Sequence, residues 1–194
     1  AFAFPGGSIQ TASKIRRMER DGQKAHLEVQ GSRGEEYQSE ITLKYSYVTS
    51  DLSLLIRGRI DGLTVIDGET IIEEIKTSRF PLDDIEPNDR HLAQARIYAA
   101  IYAEQNSLDN IRVDLTYFSM ASSREQIFAY EYSSEDLREF FTSLVDSYID
   151  GLIIEIRRRA SRDATLAAGE FPFPSIREGQ MSFMEAVNGA IQNK

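Results

Sequence analysis

Apolar side chains at Ile9, Ala12, Ile15, Met18, Ala25 and Val29 recur close to the 3.6-residue period of a helix, and Gly6, Gly7 and Ser8 precede them as a loop and N-cap. This predicts a helix from about Ile9 to Gln30, stopped by Gly31 and Gly34. The period then shortens to two. Ile41, Leu43, Tyr45 and Tyr47 alternate with polar residues, a turn falls near Ser50 and Asp51, and a second strand-like run extends from Leu52 to Leu63. Asp67-Gly68 marks the next turn and a third strand covers Glu69 to Thr77. A loop carrying Pro81 and Pro87 leads to a helix from about Asn88 to Glu104, followed by strands at Ile111 to Met120 and Gln126 to Tyr132. Ser133 or Ser134 caps a long helix in which Leu137, Phe140, Phe141, Leu144, Tyr148, Leu152 and Ile156 hold helical spacing.

The order helix, three antiparallel strands, helix, two strands, helix predicts an α/β (α+β) fold, a central mixed sheet flanked by helices. Composition breaks at Ala167 to Pro174, where a glycine and two prolines oppose any helix. The expected division is a domain over residues 1–167 and a separate segment over 168–194, with a short helix from about Ile176 to Ile191.

The 194 residues are 41% hydrophobic, enough for one domain with a real core. No apolar run is long enough to span a membrane and no secretory leader pattern opens the chain, so a cytoplasmic protein is expected. The absence of cysteine removes disulfides, thiol nucleophiles, cysteine-ligated zinc and iron-sulfur clusters together, so any metal must be held by oxygen or imidazole. A formal charge of −9 argues against binding nucleic acid through a broad basic surface. It does not exclude an enzyme whose attraction for phosphate is carried partly by a bound cation. Two local basic clusters, Lys14, Arg16, Arg17, Arg20 and Lys24, and Arg157, Arg158, Arg159 and Arg162, read as solvated helix faces.

The chemistry concentrates in Gly58 to Ser78. With Asp67-Gly68 as a two-residue turn, Ile66 pairs with Glu69, and the register then sets Leu63 across from Ile72, Asp61 across from Glu74 and Arg59 across from Lys76, all on one face. Opposed carboxylates repel, and exposure, a shared proton or a cation between them can relieve the repulsion. Two carboxylates and a lysine around a magnesium ion make a device for cutting phosphodiesters. The same three residues also fit an ordinary salt-bridged sheet surface, and a one-residue bulge would change the register. Glu73 reads as structural or solvent-facing.

Asp61 followed by Glu74-Ile75-Lys76 resembles the Asp…Glu-x-Lys core of the PD-(D/E)XK nucleases. Gly22 and His26 resemble the Gly-x-x-x-His signature on the first helix of RecB-like members, and Gln94 and Tyr98 their Gln-x-x-x-Tyr motif. The four pieces fall in order over about Gly22 to Ala103. The resemblance implies a restriction-endonuclease-like core and a Mg²⁺- or Mn²⁺-dependent deoxyribonuclease, with His26, Asp61 and Glu74 as metal ligands and the Ile75 carbonyl as a fourth. It further implies Lys76 as the base or water-orienting group, Gln94 and Tyr98 in the active site, DNA single strands or ends as substrate, and a lean towards exonuclease. Unlike many RecB-like relatives, this chain cannot hold a cysteine-bound iron-sulfur cluster.

Phe171 to Gln180 resembles the opening motif of XPD/DinG-type helicases, in which the glutamine, here Gln180, contacts adenine. This implies a fused helicase, although the chain has no phosphate loop of its own. A proline-bounded helix cap is the alternative for this segment, and a catalytically silent DNA-binding or docking module is the alternative for the whole.

Overall fold

The protein is described by a computed structural model that covers the backbone of residues 9–50, 52–168, 175 and 177–192, and the side chains of 20–50, 52–164, 175 and 177–191. The expected loop at Gly6 to Ser8, the side chains of Lys14, Arg16 and Arg17, Asp51, and Phe171 to Pro174 lie outside the described residues. The elements are α1 (Ile9–Gly31), β1 (Gln38–Val48), β2 (Ser53–Ile66), β3 (Glu69–Ser78), α2 (Asp89–Asn106), β4 (Asn110–Ser119), β5 (Arg124–Ser133), α3 (Ser134–Ala168) and α4 (Gln180–Gln192).

The strands form one sheet in the order β1-β2-β3-β4-β5. Neighbours are antiparallel except β3 and β4, which run parallel with α2 as the crossover that a parallel pair requires. At the β2–β3 turn Asp67 and Gly68 have φ of 52° and 85°, the two left-handed residues of a type I′ hairpin. Asn88 caps α2 through its side chain, which accepts the Arg90 N–H, and Ser107 ends the helix in left-handed geometry.

Alternation along β3 distributes its side chains between two helices. Ile75 packs with Ala25 and Val29 of α1 and with Phe118 of β4, so Glu73 shares the α1 face. Lys76 bonds Gln94 of α2, which places Glu74 and Lys76 on the opposite face. There α2 buries Ala95, Ala99, Ala100 and Ala103, side chains small enough for the helix to lie close to the strands. The start of α3 adds Leu137, Phe141 and Val145 to the core, and Phe141 meets the Tyr45 ring edge-on at 5.4 Å.

The chain divides into two compact units, Ala1–Val145 and Asp146–Lys194. In the second, Arg158 and Arg159 both pair with Glu155, and Arg162 pairs with Asp163. These local ion pairs match the solvated-face reading of that arginine cluster. Among the described residues no helix is long and apolar enough to cross a membrane.

Candidate active site

The β2–β3 ladder keeps the expected register from Ile66↔Glu69 to Gly62↔Glu73 and stops there. Asp61 does not pair with Glu74, nor Arg59 with Lys76, as a continued ladder would require. The reason lies in the direction β2 faces. Gly58 and Gly62 are four residues apart and would share a face in a regular strand. Yet a Cβ at Gly58 would strike the Tyr98 ring of α2, whereas one at Gly62 would strike the Tyr37 hydroxyl. That hydroxyl donates to Glu73, on the α1 side of the sheet, at 2.8 Å. The pleat inverts between the two glycines, at Asp61, and β1 turns with it. Glu40, between the pairs Ser39↔Gly62 and Ile41↔Ile60, has φ of 62°, a left-handed conformation that costs a non-glycine residue about 1 kcal/mol or more. Arg59 is turned out to solvent, where it pairs with Glu40.

In a hairpin closed at Ile66 and Glu69, main-chain bonds are exchanged at every second pair, so the Ile60 carbonyl is the acceptor due to the Ile75 N–H. Asp61 Oδ2 accepts that N–H instead, at 2.8 Å. The N–H and C=O of one strand residue face the same neighbour, so the Ile75 carbonyl also points into the gap between β2 and β3.

Four charged or titratable side chains meet at this gap as two pairs. His26 of α1 places Nδ1 3.8 Å from Asp61 Oδ1, and Lys76 places Nζ 2.5 Å from Glu74 Oε1. Apart from this lysine contact, no donor among the described residues reaches the oxygens of Glu74, which is 1% exposed. Burial, and after it the Asp61 charge, push the Glu74 pKa up to about 7 against the pull of Lys76. Burial also raises Asp61, opposed by the Ile75 N–H, His26 and Lys76. Lys76 Nζ donates to Gln94 Oε1 and Gln94 Nε2 to the Tyr98 hydroxyl, each at 3.3 Å. Tyr98 lies against β2 where Gly58 leaves room for its ring.

The support around Asp61 has no sequence signature. Gln30 Nε2 donates to the Asp61 carbonyl at 2.9 Å and to Glu40 at 3.3 Å. Glu73, expected as structural or solvent-facing, is structural but buried: Arg33, Tyr37 and Thr116 all donate to its carboxylate. A carboxylate so supplied keeps its charge inside the sheet without solvent. Gly58 and Gly62 were the legible signal, since glycine inside a strand marks a bulge or a close approach.

The structure thus brings His26, Asp61, Glu74, Ile75, Lys76, Gln94 and Tyr98 to one gap in the sheet. Gln180 belongs to the other unit, where its Oε1 accepts the Arg177 N–H at 2.7 Å at the start of α4. Among the described residues no three His, Asp or Glu side chains already converge into a closed cation cage. The donor types nevertheless fit a hard divalent cation: one imidazole, two carboxylates and a main-chain carbonyl. The buried Glu74 oxygens, which Lys76 alone approaches among the described residues, are atoms that such an ion would supply with further ligation.

Comparison with solved structures finds one titled "Crystal structure of SSO0001", 21% identical over 73% of this chain and 69% of that one, with a TM-score of 0.46, a likeness too weak to speak to function. No curated protein matches the chain. The family model of the PD-(D/E)XK nuclease superfamily matches residues 8–174. That span contains the whole five-stranded mixed sheet, its flanking helices, and Asp61 and Glu74-Ile75-Lys76 at the point where the sheet opens; the chain belongs to the PD-(D/E)XK nuclease superfamily.

Proposed function

We propose that the chain is a metal-dependent deoxyribonuclease in which His26, Asp61, Glu74 and the Ile75 carbonyl hold Mg²⁺ or Mn²⁺ beside Lys76. Glu74 carries the reading: a carboxylate 1% exposed, with Lys76 as its one close cationic partner among the described residues and its pKa pushed upward by burial and then by a second carboxylate, is costly to keep charged inside the sheet. A silent docking module would have no use for it.

When bound, a divalent ion polarises a phosphoryl oxygen and lowers the pKa of a water molecule. The remaining work falls to the protein. Asp61 is held by two contacts, its Oδ2 on the Ile75 N–H and its carbonyl on Gln30. Lys76, held between Glu74 and Gln94, presents its ammonium where it orients the attacking water and offsets the charge that builds on phosphorus. Gln94 and Tyr98 fix the lysine from behind. Action on single strands or ends, by exonuclease cleavage, is supported by the RecB-like placement of Gly22, His26, Gln94 and Tyr98. Coupling to a helicase is supported by the Phe171-to-Gln180 resemblance alone.

Labelled single- and double-stranded DNA incubated with Mg²⁺, Mn²⁺ or EDTA tests this, beside Asp61→Asn and Lys76→Met. The expected result is metal-dependent cleavage reduced at least about a hundredfold in each variant. Cleavage that persists in EDTA, or in folded Asp61→Asn, would remove the metal centre from the reaction.

A further inference from the structure

Beside the catalytic residues lies a cavity of 530 Å³, walled on one side by His26 and Lys76 and on the other by Phe80 and Ile85, with Arg79 at its edge. Its size is within the range of about 300–1,000 Å³ usual for small-ligand sites. Across it, His91 Nδ1 and the Tyr117 hydroxyl share a hydrogen bond at 2.9 Å. The lining contains no aspartate or glutamate, in a chain of net charge −9. Three other cavities, of 680, 410 and 290 Å³, each include carboxylates: Glu69 and Asp109, Asp21 and Glu28, Asp83 and Glu125. The lining of this cavity thus carries basic side chains, and the carboxylates of Asp61 and Glu74 stand behind His26 and Lys76.

Phe80 stands at this cavity 76% exposed. A single exposed phenylalanine is ordinary. This one differs in how its backbone is held. Ser78 Oγ accepts the Phe80 N–H and donates to the Phe80 carbonyl, both at 3.1 Å. The Ser78 carbonyl in turn accepts the Met120 N–H at 2.9 Å, and Pro81 follows with its fixed φ. The turn that leaves the Glu-x-Lys strand therefore has its backbone held at Phe80 and leaves the ring exposed to solvent. Exposed rings beside cationic side chains suit unpaired bases, whose faces are free to stack, and not duplex DNA, whose base faces are covered by their neighbours.

We infer that this cavity receives an unpaired nucleobase of a DNA single strand, stacked on Phe80, while Lys76 and Arg79 face the adjoining backbone phosphates. The inference rests on the nuclease reading and narrows its substrate to single-stranded DNA at the catalytic gap.

The chain contains no tryptophan, so Phe80→Trp introduces a single tryptophan, excited selectively over the tyrosines, at the proposed stacking position. Its emission is followed while oligo-dT or a duplex of equal length is added with Ca²⁺ in place of Mg²⁺. Binding of the same oligonucleotides to wild type and Phe80→Ala is measured by anisotropy. The expected result is saturable quenching by the single strand and little change with the duplex. Phe80→Ala should bind the single strand about fivefold to a hundredfold more weakly, with its melting temperature and the Mg²⁺-induced rise in that temperature unchanged. Unaltered emission from the introduced fluorophore, in a Phe80→Trp protein that still cleaves DNA, would overturn the stacking role and leave the nuclease reading intact. Equal weakening of single-strand and duplex binding would likewise overturn it. A wild-type protein that neither binds nor cleaves any DNA with Mg²⁺ or Mn²⁺ would overturn the nuclease reading and this inference with it.

Discussion

Glu74 has an ordinary pKa of 4.5 and a folded value of about 7, raised by burial first and by Asp61 second. A carboxylate with a raised folded pKa binds its proton more tightly in the native state, so its stabilising share is complete below pH 4.5, declines as pH rises and is gone above about 7. The span corresponds to a burden on the order of 3 kcal/mol at pH 8 in the metal-free protein. Glu74→Gln stays neutral and removes that burden. In EDTA at pH 8 the variant should melt about 2–8 °C above wild type, and at pH 4.5 the two should converge. The same variant should lose the rise in melting temperature that Mn²⁺ gives wild type. Thermal melts at both pH values, with and without Mn²⁺, measure all of this. A Glu74→Gln protein less stable than wild type at pH 8 would mean that Glu74 is a structural partner of Lys76 and not a strained ligand. Asp61, Glu74 and Lys76 were readable from residue type and spacing. Gln30, whose role depends on reaching the Asp61 carbonyl 31 positions away, was not.

At the level of elements, Asp67-Gly68 was enough to set the hairpin, because a type I′ turn demands two left-handed residues and fixes the register of both strands. The register failed at Asp61, where the backbone of β2 inverts and its apolar positions pass from Ile56 and Ile60 to Leu63 and Val65. The inversion depends on a side chain replacing a main-chain acceptor, an exchange that hydrophobic patterning does not encode. The consequence is functional: an unbroken ladder would use the Ile75 main chain to bond Ile60, whereas the kink opens it to the site. Gly58 and Gly62 permit this by admitting Tyr98 and Tyr37 against the backbone. Gly58→Ala should displace the Tyr98 ring, loosen the Gln94 link to Lys76 and lower kcat about tenfold, with a stability loss of about 1–3 kcal/mol. Gly62→Ala should cost a similar amount of stability through Tyr37 and Glu73. Gly34→Ala, where a Cβ meets nothing within 4 Å, is the control. Denaturant melts and single-turnover cleavage separate the two effects, and Gly58→Ala with wild-type kcat would remove Tyr98 from the positioning of Lys76.

Over the whole molecule the net charge of −9 opposes a polyanionic substrate, and Arg158, Arg159 and Arg162 of the second unit are engaged by Glu155 and Asp163. Any attraction for DNA must therefore be concentrated, and the acid-free cavity with the adjoining carboxylate gap is where a bound cation would concentrate it. This sets apart two ways in which divalent ions can promote binding. General screening weakens all long-range repulsion and depends only on ionic strength. An ion held by the site adds charge at one place and depends on its ligands. Single-strand affinity should then be weak in EDTA and rise at least about tenfold when Ca²⁺ is added at constant ionic strength. The rise should vanish in an Asp61→Asn, Glu74→Gln double variant, whose net charge of −7, two carboxylates fewer than −9, would by itself favour binding DNA. The variant thus moves bulk charge and the metal site in opposite directions. Anisotropy titrations at fixed ionic strength read the balance: if the double variant keeps the Ca²⁺-dependent gain, screening of the whole acidic surface governs binding, and if it loses the gain despite its lower charge, the two carboxylates at the kink hold the ion that draws the DNA in.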